Sequence, residues 1–163
     1  MKVRNNLTFS EIDGILYPDF EENVRYHPPV GIWGHRHAFY LKEFEEDKYM
    51  ELLRSELLLD YLDLVDMLAK EIYEEKTQAL KSENHITPTM RKRSPLKWEL
   101  AVDTIHKKVK EEVYHKLVFH AAPVDEEEFK TYLQYAETLK SNEKPNLTDY
   151  RLFKLENTKE DES

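Results

Sequence analysis

Three consecutive cations, Arg91, Lys92 and Arg93, precede a Ser94-Pro95 step and then Lys97, and Lys107 and Lys108 follow further along the same segment. A run of this kind neutralises phosphate: guanidinium and ammonium groups bind phosphate oxygens, and a helix opening at Ser94-Pro95 adds free backbone amides. The charge of the whole chain is −9, but it is distributed unevenly. Residues 1–75 hold 8 basic and 17 acidic side chains, residues 76–120 hold 10 and 5, and residues 121–163 hold 6 and 11. A polyanion would therefore meet the middle of the chain and be repelled by both ends. The opposite chemistry is concentrated in Glu43, Glu45, Glu46 and Asp47 and again in Asp125, Glu126, Glu127 and Glu128, two carboxylate groups suited to a positively charged partner. The same basic segment also reads as a solvated helix face, or as a receptor for an acidic protein segment.

Other constellations carry less chemistry. His35 and His37, with His27 nearby, invite a metal, but residues two apart on a helix diverge by about 200°, and no carboxylate stands at a matching spacing. They read as partly exposed histidines at a helix start, so no metal or other cofactor is expected. Asp60, Asp63 and Asp66 are three apart, and each such step rotates by about 60°, so the first and last diverge and the trio reads as a solvated acidic face. The chain has no cysteine, which excludes thiolate zinc sites, iron–sulfur clusters, a thiol nucleophile and a disulfide scaffold. Glycine-rich phosphate loops, Gly-x-Ser-x-Gly and His-Glu-x-x-His are absent from the sequence, and no enzymatic activity is expected. Neither a signal peptide nor a membrane-length apolar run is present, which points to the cytoplasm with no membrane partner.

The elements that would position these residues are mainly helical. All three glycines, Gly14, Gly31 and Gly34, lie in the first 34 residues of the 163. Asp13-Gly14 between short apolar-alternating runs predicts a hairpin with strands near 7–12 and 15–18, and the segment from Asp19 to Gly34 reads as an irregular loop. Ala38, Phe39, Leu41 and Phe44 predict a short first helix. From Lys48, Tyr49 through Ile72 recur at helical spacing and predict one unbroken helix to about Lys81, roughly 50 Å long. Asn84 and Thr87-Pro88 stop it. Ser94, as a side-chain cap, and Pro95 open a third helix to about 119, and Asp125 with Glu128 predicts a capping box for a fourth. Residues 147–155 read as an extended docking arm and 156–163 as a disordered tail. The fold class is thus mainly α, an antiparallel helical hairpin or bundle with a small N-terminal β-hairpin, divided into a core over 1–119, a C-terminal helix and arm over 120–155, and the tail. The apolar band around Leu58 and Leu62 is broad enough to be either covered by the fourth helix or shared in a symmetric homodimer.

Three blocks, Leu7 to Pro18, Val30 to Lys42 and Tyr49 to Ala69, together resemble the TnpV family of small proteins from bacterial transposons and integrative elements. The resemblance rests on Thr8-Phe9, Gly14-Ile15-Leu16-Tyr17-Pro18, Gly31-Ile32-Trp33-Gly34, Tyr40-Leu41-Lys42, Tyr49-Met50-Glu51-Leu52-Leu53 and Glu111-Glu112-Val113, and covers residues 7–119. The chain departs from the family pattern at Glu56, where glycine is common, and lacks an asparagine between Ala101 and Ile105. The resemblance implies a non-enzymatic accessory protein of a mobile element and carries over no active-site residue and no settled activity; the basic segment then makes DNA or a recombinase complex the expected partner. Because mobile elements also encode inhibitors of host defence, the alternative is an anti-CRISPR-like acidic protein that blocks the nucleic-acid channel of a Cas or other defence nuclease.

Overall fold

A computed structural model of the chain describes residues 9–12, 14–18, 29–140 and 143–162. His27, Leu7 and Thr8 at the start of the expected ribbon, the loop up to Pro28, and Ser163 lie outside the described residues. The elements in chain order are β1 (Phe9–Ile12), β2 (Ile15–Pro18), α1 (Ile32–Phe44), α2 (Glu46–Arg54), α3 (Leu58–Glu83), α4 (Pro88–Arg93), α5 (Pro95–Val113), α6 (Glu126–Glu137) and α7 (Leu147–Glu162). A π-helical turn, Tyr114–Val118, extends α5. The two strands pair antiparallel, with Phe9 opposite Pro18 and Ile12 opposite Ile15, and Gly14 takes a positive φ between them.

The helix expected from Lys48 to Lys81 is broken. Residues Ser55 to Leu57 close α2 and restart the chain as α3: Leu57 N–H donates to Leu52 O at 3.0 Å and Glu56 N–H to Leu53 O at 3.1 Å, with Glu56 at φ +64°. This is a Schellman closure, which ordinarily has glycine at the left-handed position. The end of α3 repeats it without glycine, with His85 at φ +53°, Ile86 N–H on Lys81 O at 2.8 Å and His85 N–H on Ser82 O at 3.2 Å. Apolar periodicity runs through a break that is closed by glutamate, and so does not reveal it.

Once separated from α2, α3 becomes the central helix. Leu58, Leu59 and every residue from Tyr61 to Met67 are buried, as expected of a helix covered on several sides. One apolar cluster joins α1, α2 and the first half of α3 to Tyr132 and Tyr135 of α6 and Tyr150 of α7, and a second joins Trp33 and the later part of α3 to Ile105, Val109 and Val113 of α5. Trp33, bonded to Asp66, meets Tyr114, whereas Tyr73 meets His106, so α5 runs back antiparallel along α3. Leu58 and Leu62 are fully covered in this arrangement, which removes them as a surface for self-association.

The expected extended arm and disordered tail form instead one helix, α7. Asn146 explains its start: its Oδ1 accepts from Thr148 N–H at 2.8 Å and Asp149 N–H at 3.3 Å, a side-chain cap. Tyr150 and Phe153, three apart, then face the ring of Tyr135, and Arg151 pairs with Glu71 of α3. No helix among the described residues is long and apolar enough to cross a membrane.

Candidate functional site

The basic corner is built by two consecutive helix starts. Thr87 caps α4, its Oγ1 accepting from Met90 N–H at 3.3 Å, and Pro88 occupies the first turn where no amide donor is missed. Six residues of α4 then place Arg91, Lys92 and Arg93 at its C-terminal end, where cations suit the helix dipole. The chain turns at Ser94 and Pro95 begins α5. Ser94, expected to cap α5 through its side chain, makes no such bond; it contributes its carbonyl, which accepts from Trp98 N–H at 3.0 Å. The Arg91 guanidinium lies 4.9 Å above the Trp98 ring, a cation–π contact that ties α4 to the first turn of α5.

Arg91, Lys92, Arg93 and Lys97 are all exposed on this corner, and Leu96 and Leu100 project beside them at 70% and 60% exposure. Lys97 and Lys108 are eleven residues apart, which returns them to the same side of α5 about 16 Å apart. Lys107 is exposed and pairs with Asp103 at 3.1 Å, a surface ion pair of small energetic weight. The corner thus presents separate, solvated cations rather than a closed pocket.

The carboxylate groups are placed differently. Glu43 lies exposed near the end of α1, Glu45 forms the link, and Glu46 and Asp47 occupy the first turn of α2. Asp125 caps α6, with Oδ1 accepting from Glu128 N–H at 2.8 Å, and Glu126, Glu127 and Glu128 fill its first turn. Glu128 also pairs with Lys154 of α7 at 2.9 Å. Most of these anions stabilise helix N-termini. Lys48 joins the two regions: its amine donates to Ala121 O at 2.9 Å and Tyr61 Oη at 3.1 Å, and burial lowers its pKa.

Sequence reasoning missed a third group, the seam between α1 and α3. Asp66 is buried rather than part of a solvated acidic face, as is Asp63. The Asp66 Oδ1 accepts from Trp33 N–H at 3.0 Å and Gly34 N–H at 3.1 Å, so α1 is capped by a carboxylate from another helix, and Lys70 pairs with Asp66 at 3.1 Å. Gly31 and Gly34 leave room for this approach. A Cβ on Gly31 would stand 2.4 Å from Asp66 Oδ2, and one on Gly34 would stand 2.9 Å from the backbone oxygen of Leu62. The spacing Gly31-x-Trp33-Gly34 was the available signal, but the partner 32 residues on could not be read from it.

His37, expected partly exposed, is completely buried on the same seam. Its Nδ1–H donates to Val118 O at 2.9 Å in the π-helical turn, its ring lies between Tyr40 and Tyr61, and desolvation lowers its pKa to about 4. His35, one turn from Gly31, donates from Nδ1 to Gly31 O at 3.1 Å. The two rings therefore serve separate backbone carbonyls. Arg36 reaches Tyr114 Oη, its guanidinium 5.4 Å from the Tyr114 ring centroid and 5.8 Å from that of Trp33.

The family model described as transposon-encoded protein TnpV matches residues 8–118, from the first strand through the π-helical turn. The chain belongs to the TnpV family. The matched residues include both the α1–α3 seam and the basic corner, whereas α6 and α7 of this TnpV protein lie beyond them. No curated protein and no solved structure matches the chain.

Proposed function

We propose that this transposon-encoded protein is a non-enzymatic accessory factor that binds DNA, alone or within a recombination complex, through the α4–α5 corner. The observation that carries this reading is the joint exposure of Arg91, Lys92, Arg93 and Lys97 on two short turns, with Lys107 and Lys108 continuing along α5. Separate solvated cations neutralise successive phosphates, and the acidic regions at α1–α2 and α6 would orient the molecule with this corner toward the duplex. The inhibitor reading has less support, because Asp125 and Glu128 already hold an amide and an amine of the protein itself.

Fluorescence anisotropy with duplex DNA carrying the transposon's end sequence tests the proposal across a salt series. Log affinity should fall linearly with log salt, and replacing Arg91, Lys92 and Arg93 together with alanine should reduce the slope by about 0.9 for each phosphate that is no longer neutralised. Absence of binding at low salt, or an unchanged slope in the triple variant, rejects it. Cleavage assays with Cas nucleases are the corresponding test of the inhibitor alternative.

A further inference from the structure

The buried side of α1 comprises Trp33, Gly34, His37, Ala38 and Leu41, so the opposite side is turned outward. Along that side Ile32, Arg36, Phe39 and Glu43 fall at steps of four, three and four residues, a single stripe down the helix. Ile32 is 57% and Phe39 63% exposed, and a cleft of about 540 Å³ opens beside them between His35, Arg36 and Val30. Large apolar groups aligned on one face of a surface helix, lining a shallow open cleft, mark an interaction surface.

The charges on the stripe indicate its occupant. The cation, Arg36, lies toward the N-terminal half of α1 and the anion, Glu43, lies two turns on. A two-fold axis crossing the helix near Phe39 would pair the stripe with itself in the antiparallel sense, the arrangement that a self-complementary face requires. Each Arg36 then faces the Glu43 of the other copy, and the two Phe39 rings meet each other at the axis. The Arg36 guanidinium rests against the Tyr114 and Trp33 rings and gives one N–H to Tyr114, and its remaining donors are left for a carboxylate. Nucleic acid fits this face poorly, because Glu43 is followed by Glu46 and Asp47 at the same helix junction. We propose that the outer face of α1 is a homodimer interface, formed by antiparallel packing of Ile32, Arg36, Phe39 and Glu43 against a second copy of this chain. It stands independently of the DNA reading, which concerns the α4–α5 corner.

Sedimentation equilibrium and light scattering of the full chain at micromolar concentration supply the test. The expected mass is twice 19.6 kDa. Phe39→Asp, at an exposed position, should raise the dimer dissociation constant at least about tenfold while the helical circular dichroism is retained. Glu43→Arg should weaken the dimer by opposing two cations, and mixing that chain with Arg36→Glu should restore association as a heterodimer. If Arg36→Glu loses helicity because Tyr114 loses its partner, Phe39→Asp and Glu43→Arg alone carry the test. A monomer throughout the concentration range, including one that associates only with a different protein, overturns the proposal. So does a dimer whose dissociation constant is unmoved by either Phe39→Asp or Glu43→Arg.

Discussion

The α1–α3 seam and the α4–α5 corner lie in the same family-matched part of the chain but use charged and aromatic residues in opposite ways. At the seam, Asp66 is buried and accepts two backbone amides, His37 is buried on a carbonyl, and glycines permit the approach. At the corner, Arg91, Lys92 and Arg93 stand in water on a six-residue helix, and one ring contact to Trp98 is the visible tie. The difference teaches that the most recognisable motif here, Gly31-x-Trp33-Gly34, is a device for joining two helices. The residues suited to a partner are those that the fold does not consume. A buried charge with its hydrogen bonds satisfied is costly to alter, whereas a solvated one is not.

The largest effect is therefore expected from Asp66→Ala, which leaves two buried amides of α1 without an acceptor. About 4 kcal/mol of stability should be lost, read from denaturant unfolding, and a loss under 1 kcal/mol would break the contrast between the two regions. Next comes acid sensitivity at His37. The folded pKa of about 4 lies below the ordinary 6.5, so the unfolded chain takes up the proton first. Its contribution is complete above about pH 6.5 and declines as pH falls toward 4, by about 1.4 kcal/mol per unit across that window. Comparison with His37→Asn, which keeps a donor near Nδ1 and does not titrate, isolates this slope; equal slopes for the two proteins would remove His37 from the account.

A smaller gain sharpens the picture of the junction leading into the seam. Glu56→Gly at φ +64° relieves a left-handed conformation unfavourable to a side chain and should stabilise the protein by about 0.5–1 kcal/mol in thermal melts. The smallest stability change belongs to the corner. Alanine at Arg91, Lys92 and Arg93 together should shift unfolding by no more than about 1 kcal/mol, most of it from removing the Arg91–Trp98 cation–π pair, even as DNA affinity falls. A large loss of stability in that variant would make the corner structural and undo the comparison from its other side.

The helical character of the chain, the Pro95 start and the Asp125 cap are local in origin, set by apolar spacing, proline and short-range side-chain bonds, and the sequence by itself determined them. Thr87-Pro88, expected to stop a helix, instead opens α4 after α3 has already ended at Glu83. Family membership was legible for a related reason, since glycine and aromatic residues at fixed spacing are read directly from the chain whatever their role. Other features depended on groups far apart in sequence or on rare backbone choices. Leu57 N–H reaching back to Leu52 O, with a glutamate in the left-handed position, split one periodic apolar run into α2 and α3. Asn146 and the docking of Tyr150 among the α6 tyrosines turned a segment after Pro145 into α7. Whether Asp66 faced water or the start of α1, and whether His37 was exposed or enclosed, rested on contacts spanning 32 to 81 residues. Periodicity assigns a side chain to a face of its own helix; only the tertiary structure decides what lies against that face.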